Sequence, residues 1–143
     1  MSILSLTAYL ALLLLPLLEG RREYIFYRVN RAAGFPFSAQ DSTRKRINAG
    51  LFGALALLLC HLAAGLTFAA AALFLASVFW RWLALDAVLN LLRELPLFYA
   101  GTSGRSLTDS FLADLPPGGR AVLKIAPLLI LIFLYLILKY LPL

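Results

Sequence analysis

Apolar positions in this chain come in long runs rather than in the strict alternation of strands or the one-faced periodicity of soluble helices. Four runs stand out, at residues 2–18, 47–66, 68–95 and 120–140. A helix needs about 20 apolar residues to cross the hydrocarbon core of a bilayer, and each run is close to that length or can reach it. The pattern predicts an all-α, polytopic integral membrane protein in which residues 1–143 form a single domain of four transmembrane helices. The first run is short for a span and carries Pro16 near its end. It gains length by continuing toward Asn30, where Tyr24, Phe26 and Tyr27 suit the headgroup level.

The connections between runs are uneven. Residues 32–46 read as a loop, punctuated by Gly34 and Pro36, with Phe35 and Phe37 dipping into the interface and Asp41 or Ser42 capping the second helix. The link near Gly65 has no charge and reads as a tight hairpin. A single tilted span over 51–75 is the competing reading, but it would place Arg46 and Arg81 on opposite sides. Pro96 is expected to end the third helix. Residues 97–119 form a second loop, in which Ser106 to Asp109 has capping-box form ahead of a short interfacial helix over about 107–115. Pro116, Pro117, Gly118 and Gly119 read as a break.

Charge changes the picture by giving it sides. Twelve of the thirteen basic residues lie in two stretches, 21–46 and 81–124. Lys and Arg are retained on the cytoplasmic side, so both loops are expected in the cytoplasm and both termini outside, in a bacterial inner membrane. The first run lacks a basic leader and reads as a retained helix rather than a cleaved signal peptide. The net charge of +6 flanks apolar runs, which points to the anionic inner leaflet rather than to nucleic acid. Arg44, Lys45 and Arg46 at the membrane edge, and Arg105 in the Gly/Ser/Thr-rich loop 99–106, are candidate contacts for anions or lipid headgroups. A mean hydropathy of +0.88, with 14% charged residues against roughly a quarter in soluble domains, excludes an ordinary soluble domain.

Small residues suggest how the helices meet. Ala49, Gly50, Gly53, Ala56, Cys60, Ala63 and Ala64 on the second helix are expected to face Ala69–Ala72, Ala76 and Ser77 on the third, because small side chains let backbones approach within a membrane. The fourth helix is apolar on every side from Leu128 to Leu138, with Lys139 and Tyr140 snorkelling at its outer end.

Candidate chemistry concentrates on the third helix. Arg81 lies roughly 20 Å along it from Phe68. Asp86, Asn90, Arg93 and Glu94 follow at i, i+4, i+7 and i+8 and form one stripe. Arg81 and Asp86 point about 140° apart, so each needs a partner on another helix; Glu19, Glu23, Arg21 and Arg22 on the first helix are at the right depth, and Arg21, Arg22 or Arg93 is the expected partner of Asp86. Such a stripe either ties helices together or opens a polar path. Three oxygens on one helix are too few for a metal site, and none is expected. His61 is the lone histidine, so paired haem ligation within one chain is excluded, and a hydrogen bond to a neighbour is expected. Trp80 and Trp82, at depth, are expected to pack against a neighbour. No serine has a histidine beside it for nucleophilic chemistry, and no cofactor signature is present. These features favour a non-enzymatic membrane protein, an accessory or structural subunit acting with copies of itself or other membrane subunits among membrane lipids. The alternative is a small homo-oligomeric channel or transporter whose stripe faces the cytoplasm; a lipid headgroup enzyme ranks below both.

Overall fold

The structure, a computed structural model, describes residues 2–33, 39–65, 67–99, 112 and 114–140. Four helices account for nearly all of it: α1 (Ile3–Ala32), α2 (Ala39–Ala64), α3 (Phe68–Leu92) and α4 (Pro117–Tyr140). Each is long and apolar enough to cross a membrane, with mean hydropathies over the most apolar stretch of 1.9, 1.9, 1.8 and 2.7. The chain is therefore a four-helix, multi-pass membrane protein. The loop positions Gly34, Phe35, Pro36, Phe37 and Arg105, and nearly all of the segment expected to form the interfacial helix 107–115, lie outside the described residues.

α1 is one unbroken helix of 30 residues. It starts at Ser2, whose hydroxyl accepts from the Ser5 amide at 3.1 Å, and passes through the buried Pro16. At 1.5 Å per residue it rises about 45 Å, more than the roughly 30 Å that a hydrocarbon core requires.

α2 begins earlier than expected. Asp41, Ser42 and Arg44–Arg46 lie inside it, so neither Asp41 nor Ser42 is its cap and residues 39–46 are not loop. Propensity explains the difference: Ala39, Gln40 and the basic triplet are good or acceptable helix formers, and no Gly or Pro intervenes. At its other end Gly65 adopts φ +71°, its amide bonding to the His61 carbonyl at 2.7 Å. Thr67 then caps α3 through its hydroxyl, 3.3 Å from the Ala70 amide. The α2–α3 connection is thus the tight hairpin, and the continuous span over 51–75 is excluded.

α3 stops at Leu92, before Pro96 can act. The Leu95 amide reaches back to the Asn90 carbonyl at 2.9 Å and the Glu94 amide to Leu91 at 3.1 Å, with Glu94 at φ 58°. This is a Schellman closure with glutamate where glycine is usual. Likewise, Pro117, Gly118 and Gly119 are not a break but the first turn of α4. Proline is favoured at that first position because its missing amide would have no helical partner.

α3 is the central helix and packs on each of the other three. Leu12, Phe52, Ala56 and Cys60 form one buried cluster with Leu73 and Phe74 against it. Ala69, Ala72 and Tyr135 form a second with Tyr9 and Leu138. The small residues therefore divide. Ala56 and Cys60 face inward, but Gly50 and Ala54 are exposed, and a methyl group added at Gly50 or Gly53 would meet nothing within 4 Å. The expected Gly53 contact with α3 is absent. The close approach occurs instead at Gly20 of α1, where an added Cβ would fall 2.9 Å from the Val88 Cβ. Gly50 belongs to the outward face and Gly53 is half-buried on the side of Ala56 and Cys60, because the helix's orientation is set by the buried Phe52 and by Glu23 reaching across to Arg44 and Asn48.

Candidate functional site: a layer of paired charges

The interior of the basic end of the bundle is polar, and three ion pairs organise it. Arg81 donates through Nε to Glu19 Oε2 at 2.8 Å and through Nη2 to Oε1 at 2.6 Å, a forked pair between α3 and α1. Arg44 Nη2 donates to Glu23 Oε2 at 2.7 Å, joining α2 to α1, and Asn48 Nδ2 donates to the other carboxylate oxygen at 3.2 Å. Lys124 Nζ donates to Asp86 Oδ2 at 2.5 Å, joining α4 to α3. Each pair ties a different pair of helices. Across helices three carboxylates face three cations, and the exposed Arg22 of α1 also approaches Glu23 at 3.8 Å.

Aromatic rings complete the surroundings of the cations. The Arg44 guanidinium lies 3.5 Å from the centroid of Phe26, Arg81 lies 5.2 Å from that of Phe52, and the Lys124 ammonium lies 5.3 Å from that of Trp82. Trp80 donates from Nε1 to the Leu13 carbonyl at 3.0 Å. That carbonyl is one residue from Leu12, whose own helical donor is removed by Pro16. The bond therefore fastens α3 to the turn of α1 that proline loosens, and both tryptophans serve packing between helices.

A cavity of about 290 Å³ opens among α1, α2 and α3, walled by Glu19, Glu23, Arg44, Arg81 and Asp86, with Lys45 and Arg93 also reaching it. The five members of the α3 stripe do not act together. Arg81 and Asp86 belong to the paired layer. Asn90 is buried and donates to the Leu97 carbonyl at 3.0 Å and the Tyr99 carbonyl at 3.2 Å, holding the turn after α3. Arg93 and Glu94 are exposed beyond it, with the Arg93 guanidinium 4.6 Å from the Tyr27 ring centroid. The reason is the Schellman closure, which ends the helical register at Leu92. Arg46 is exposed on α2.

Two further expectations are corrected. The partner of Asp86 is not Arg21, Arg22 or Arg93 but Lys124, which is only 2% exposed. Lys124 looks like one more basic residue at a membrane edge, yet α4 begins at Pro117, so it stands about 10 Å along the helix and turns inward. His61 is exposed in the last turn of α2 and makes no side-chain hydrogen bond among the described residues, contrary to the expected bond to a neighbour.

A smaller polar cluster at the opposite end was not foreseen. Tyr9 of α1 and Tyr135 of α4 are hydrogen-bonded through their hydroxyls, and Lys139 donates to the Tyr9 hydroxyl at 2.7 Å. The Lys139 ammonium sits 5.0 Å and 5.4 Å from the centroids of those two rings. Lys139 thus folds back onto the bundle rather than only reaching outward, and α4 is not the featureless helix its composition suggests. The spacing of Tyr135 and Lys139 by four residues was the available signal.

Fold and charge layer together define the class: a small multi-pass integral membrane protein with an ion-paired polar interior at one end. Comparison with protein-family models, with characterised proteins and with solved structures yields no match.

Proposed function

We propose that this chain is a non-enzymatic membrane subunit that works in a homo- or hetero-oligomeric assembly of a bacterial inner membrane, with both termini outside and the basic end in the cytoplasm. The observation that carries the reading is the outward face of α2. Exposed Gly50 and Ala54 lie there, with nothing among the described residues within 4 Å of a Cβ added at Gly50, and exposed His61 continues the same stripe two turns on from Ala54. Small residues at four-residue spacing let two membrane helices approach closely, and a histidine on that face gains a hydrogen-bonding neighbour when a second chain covers it. The charge layer supports the same reading, since its carboxylates and cations are engaged with one another and tie the bundle together.

The test is native mass measurement of the protein purified in mild detergent, with identification of any chain that travels with it. Wild-type protein is expected above the monomer mass. Gly50→Leu and Ala54→Leu are expected to shift it toward 15.7 kDa while leaving the fold intact. A wild-type protein that is monomeric and carries no other chain would sink the proposal.

The channel or transporter reading draws on one observation, the cavity of about 290 Å³ at the basic end. It requires ion or solute flux in reconstituted vesicles that Asp86→Asn abolishes without loss of folded protein.

A further inference from the structure

A second concavity lies outside the charge layer, between the last turns of α1 and the end of α3. Its volume is about 670 Å³, and Tyr24, Tyr27, Arg28, Arg31, Arg93 and Glu94 line it. In contrast to the inner layer, its cations are not neutralised by the described residues. Arg28, Arg31 and Arg93 are all exposed, and none has a carboxylate partner among the described residues. Three guanidinium groups against the single carboxylate of Glu94 leave a formal charge of +2 (3 − 1).

Two of the three arginines are nevertheless positioned. Arg28 lies 5.9 Å from the Tyr24 ring centroid and Arg93 lies 4.6 Å from that of Tyr27. Each guanidinium thus rests near a ring and keeps its N–H edge for another acceptor. Depth identifies the acceptor. Counted from Ile3, about 20 residues carry α1 across the hydrocarbon core, and residues 23–32 rise about another 15 Å through the headgroup layer. Phosphodiesters populate that layer. Beside the groove, Ile25 and Val29 on the adjoining face of α1 are 52% and 61% exposed, which suits an acyl chain more than water.

We propose that this groove binds the phosphate of an anionic membrane phospholipid, with Arg28, Arg31 and Arg93 as the ligands and the Tyr24 and Tyr27 rings as the supports of Arg28 and Arg93. Guanidinium forks match phosphate oxygens in pairs. A zwitterionic headgroup brings its own cation into the groove and gains less. Glu94 at the rim disfavours a second negative charge on its side. The site is independent of the self-association proposed above.

The experiment uses the full chain in a nonionic detergent, titrated separately with phosphatidylglycerol, phosphatidylcholine and sodium phosphate, with bound lipid and oligomeric state read together by native mass spectrometry. Phosphatidylglycerol is expected to bind preferentially. Arg28→Gln, Arg31→Gln and Arg93→Gln are each expected to weaken it by about tenfold, the loss of one charge-assisted bond. Arg21→Gln, exposed on α1 outside the groove, is expected to leave it unchanged. Equal binding of phosphatidylcholine overturns the proposal, as does undiminished phosphatidylglycerol binding by the folded triple variant. Sodium phosphate competing in the same concentration range makes the groove a soluble-anion site and overturns the lipid assignment. Should the triple variant not fold, the single variants and the wild-type lipid preference decide the matter. Because the oligomeric state is read from the same spectra, failure of lipid binding and failure of self-association are separately visible.

Discussion

At the scale of single residues, two glycines of the same type have opposite surroundings. An alanine at Gly20 would bring its Cβ to 2.9 Å from the Val88 Cβ and 3.0 Å from its Cγ1, with the Leu85 Cα at 3.6 Å. α1 and α3 would have to separate, and Gly20→Ala is expected to cost about 1–3 kcal/mol. Adding Val88→Ala should recover part of that loss, because the clash is with the valine side chain. At Gly53 an added methyl meets nothing, so Gly53→Ala should cost the bundle nothing and gain up to about 1 kcal/mol of helix propensity. Thermal unfolding of the three variants in one detergent checks the order, and equal losses at Gly20 and Gly53 would contradict the helix orientations described above. Glu94 offers a change of the opposite sign. Its backbone at φ 58° is in the left-handed region, where a non-glycine residue costs of order 1 kcal/mol. Glu94→Gly should therefore raise the unfolding temperature, and a fall would mean that the carboxylate contributes more than the backbone strain removes.

At the scale of elements, the helices were legible in outline and their partners were not. Length and hydropathy place four spans because the bilayer sets a fixed thickness, and charge places the Gly65 turn because a single span over 51–75 would put Arg46 and Arg81 on opposite sides. Rotation of a helix about its axis is different. It decides whether Gly53 or Gly20 meets a neighbour and whether Lys124 points to solvent or to Asp86, and it follows from side-chain fit across helices rather than from any local pattern. A sequence stripe such as Asp86 to Glu94 also presumes that the helix continues, whereas the Schellman closure ends it at Leu92, with the Asn90 side chain holding the turn that follows, so Arg93 and Glu94 leave the helical register. The pairing now on view makes a sharper prediction. Asp86→Asn leaves the Lys124 ammonium, 2% exposed, without its counter-charge. Removing one partner of a buried pair costs about 3–5 kcal/mol; Asp86 is itself one-third exposed, which places the expected loss toward the lower end. Asp86→Asn combined with Lys124→Met should recover most of it, since a long apolar side chain can occupy the lysine's path beside Trp82. Loss of stability that persists in the double variant would show that Lys124 has a role other than pairing with Asp86.

At the scale of the whole molecule, the decisive quantity is sidedness. The bundle gathers the starts of α1 and α3 and the end of α4 at one end, as the contact of Tyr9 with Tyr135 and Lys139 and its approach to the Ala63 carbonyl require. The paired layer and the arginine groove are at the other end. Eleven of the twelve basic residues among the described ones thus share that end, and the topology proposed above, in which Lys and Arg remain cytoplasmic, turns it inward. Single cysteines in a Cys60→Ala background test this in intact cells with a membrane-impermeant maleimide. Phe68, 83% exposed at the start of α3, should react from outside as Phe68→Cys. Gly34→Cys, in the connection between α1 and α2, should react only after the membrane is opened. Folding must be monitored alongside, since Cys60 is buried in the α1–α2–α3 cluster and its replacement leaves a small void. Reaction of Gly34→Cys from outside would invert the molecule. It would leave the four-helix fold, the ion pairs and the α2 face untouched, because none of these depends on which compartment each end meets. It would, however, move the groove of Arg28, Arg31 and Arg93 to the outer leaflet, where the anionic lipids that attract basic segments at the cytoplasmic surface no longer supply the field. The labelling pattern and the phosphatidylglycerol preference are therefore linked: an inward basic end predicts a lipid that the groove meets at high local concentration, and an outward one predicts a groove that binds the same phosphate in detergent but stays largely empty in the cell.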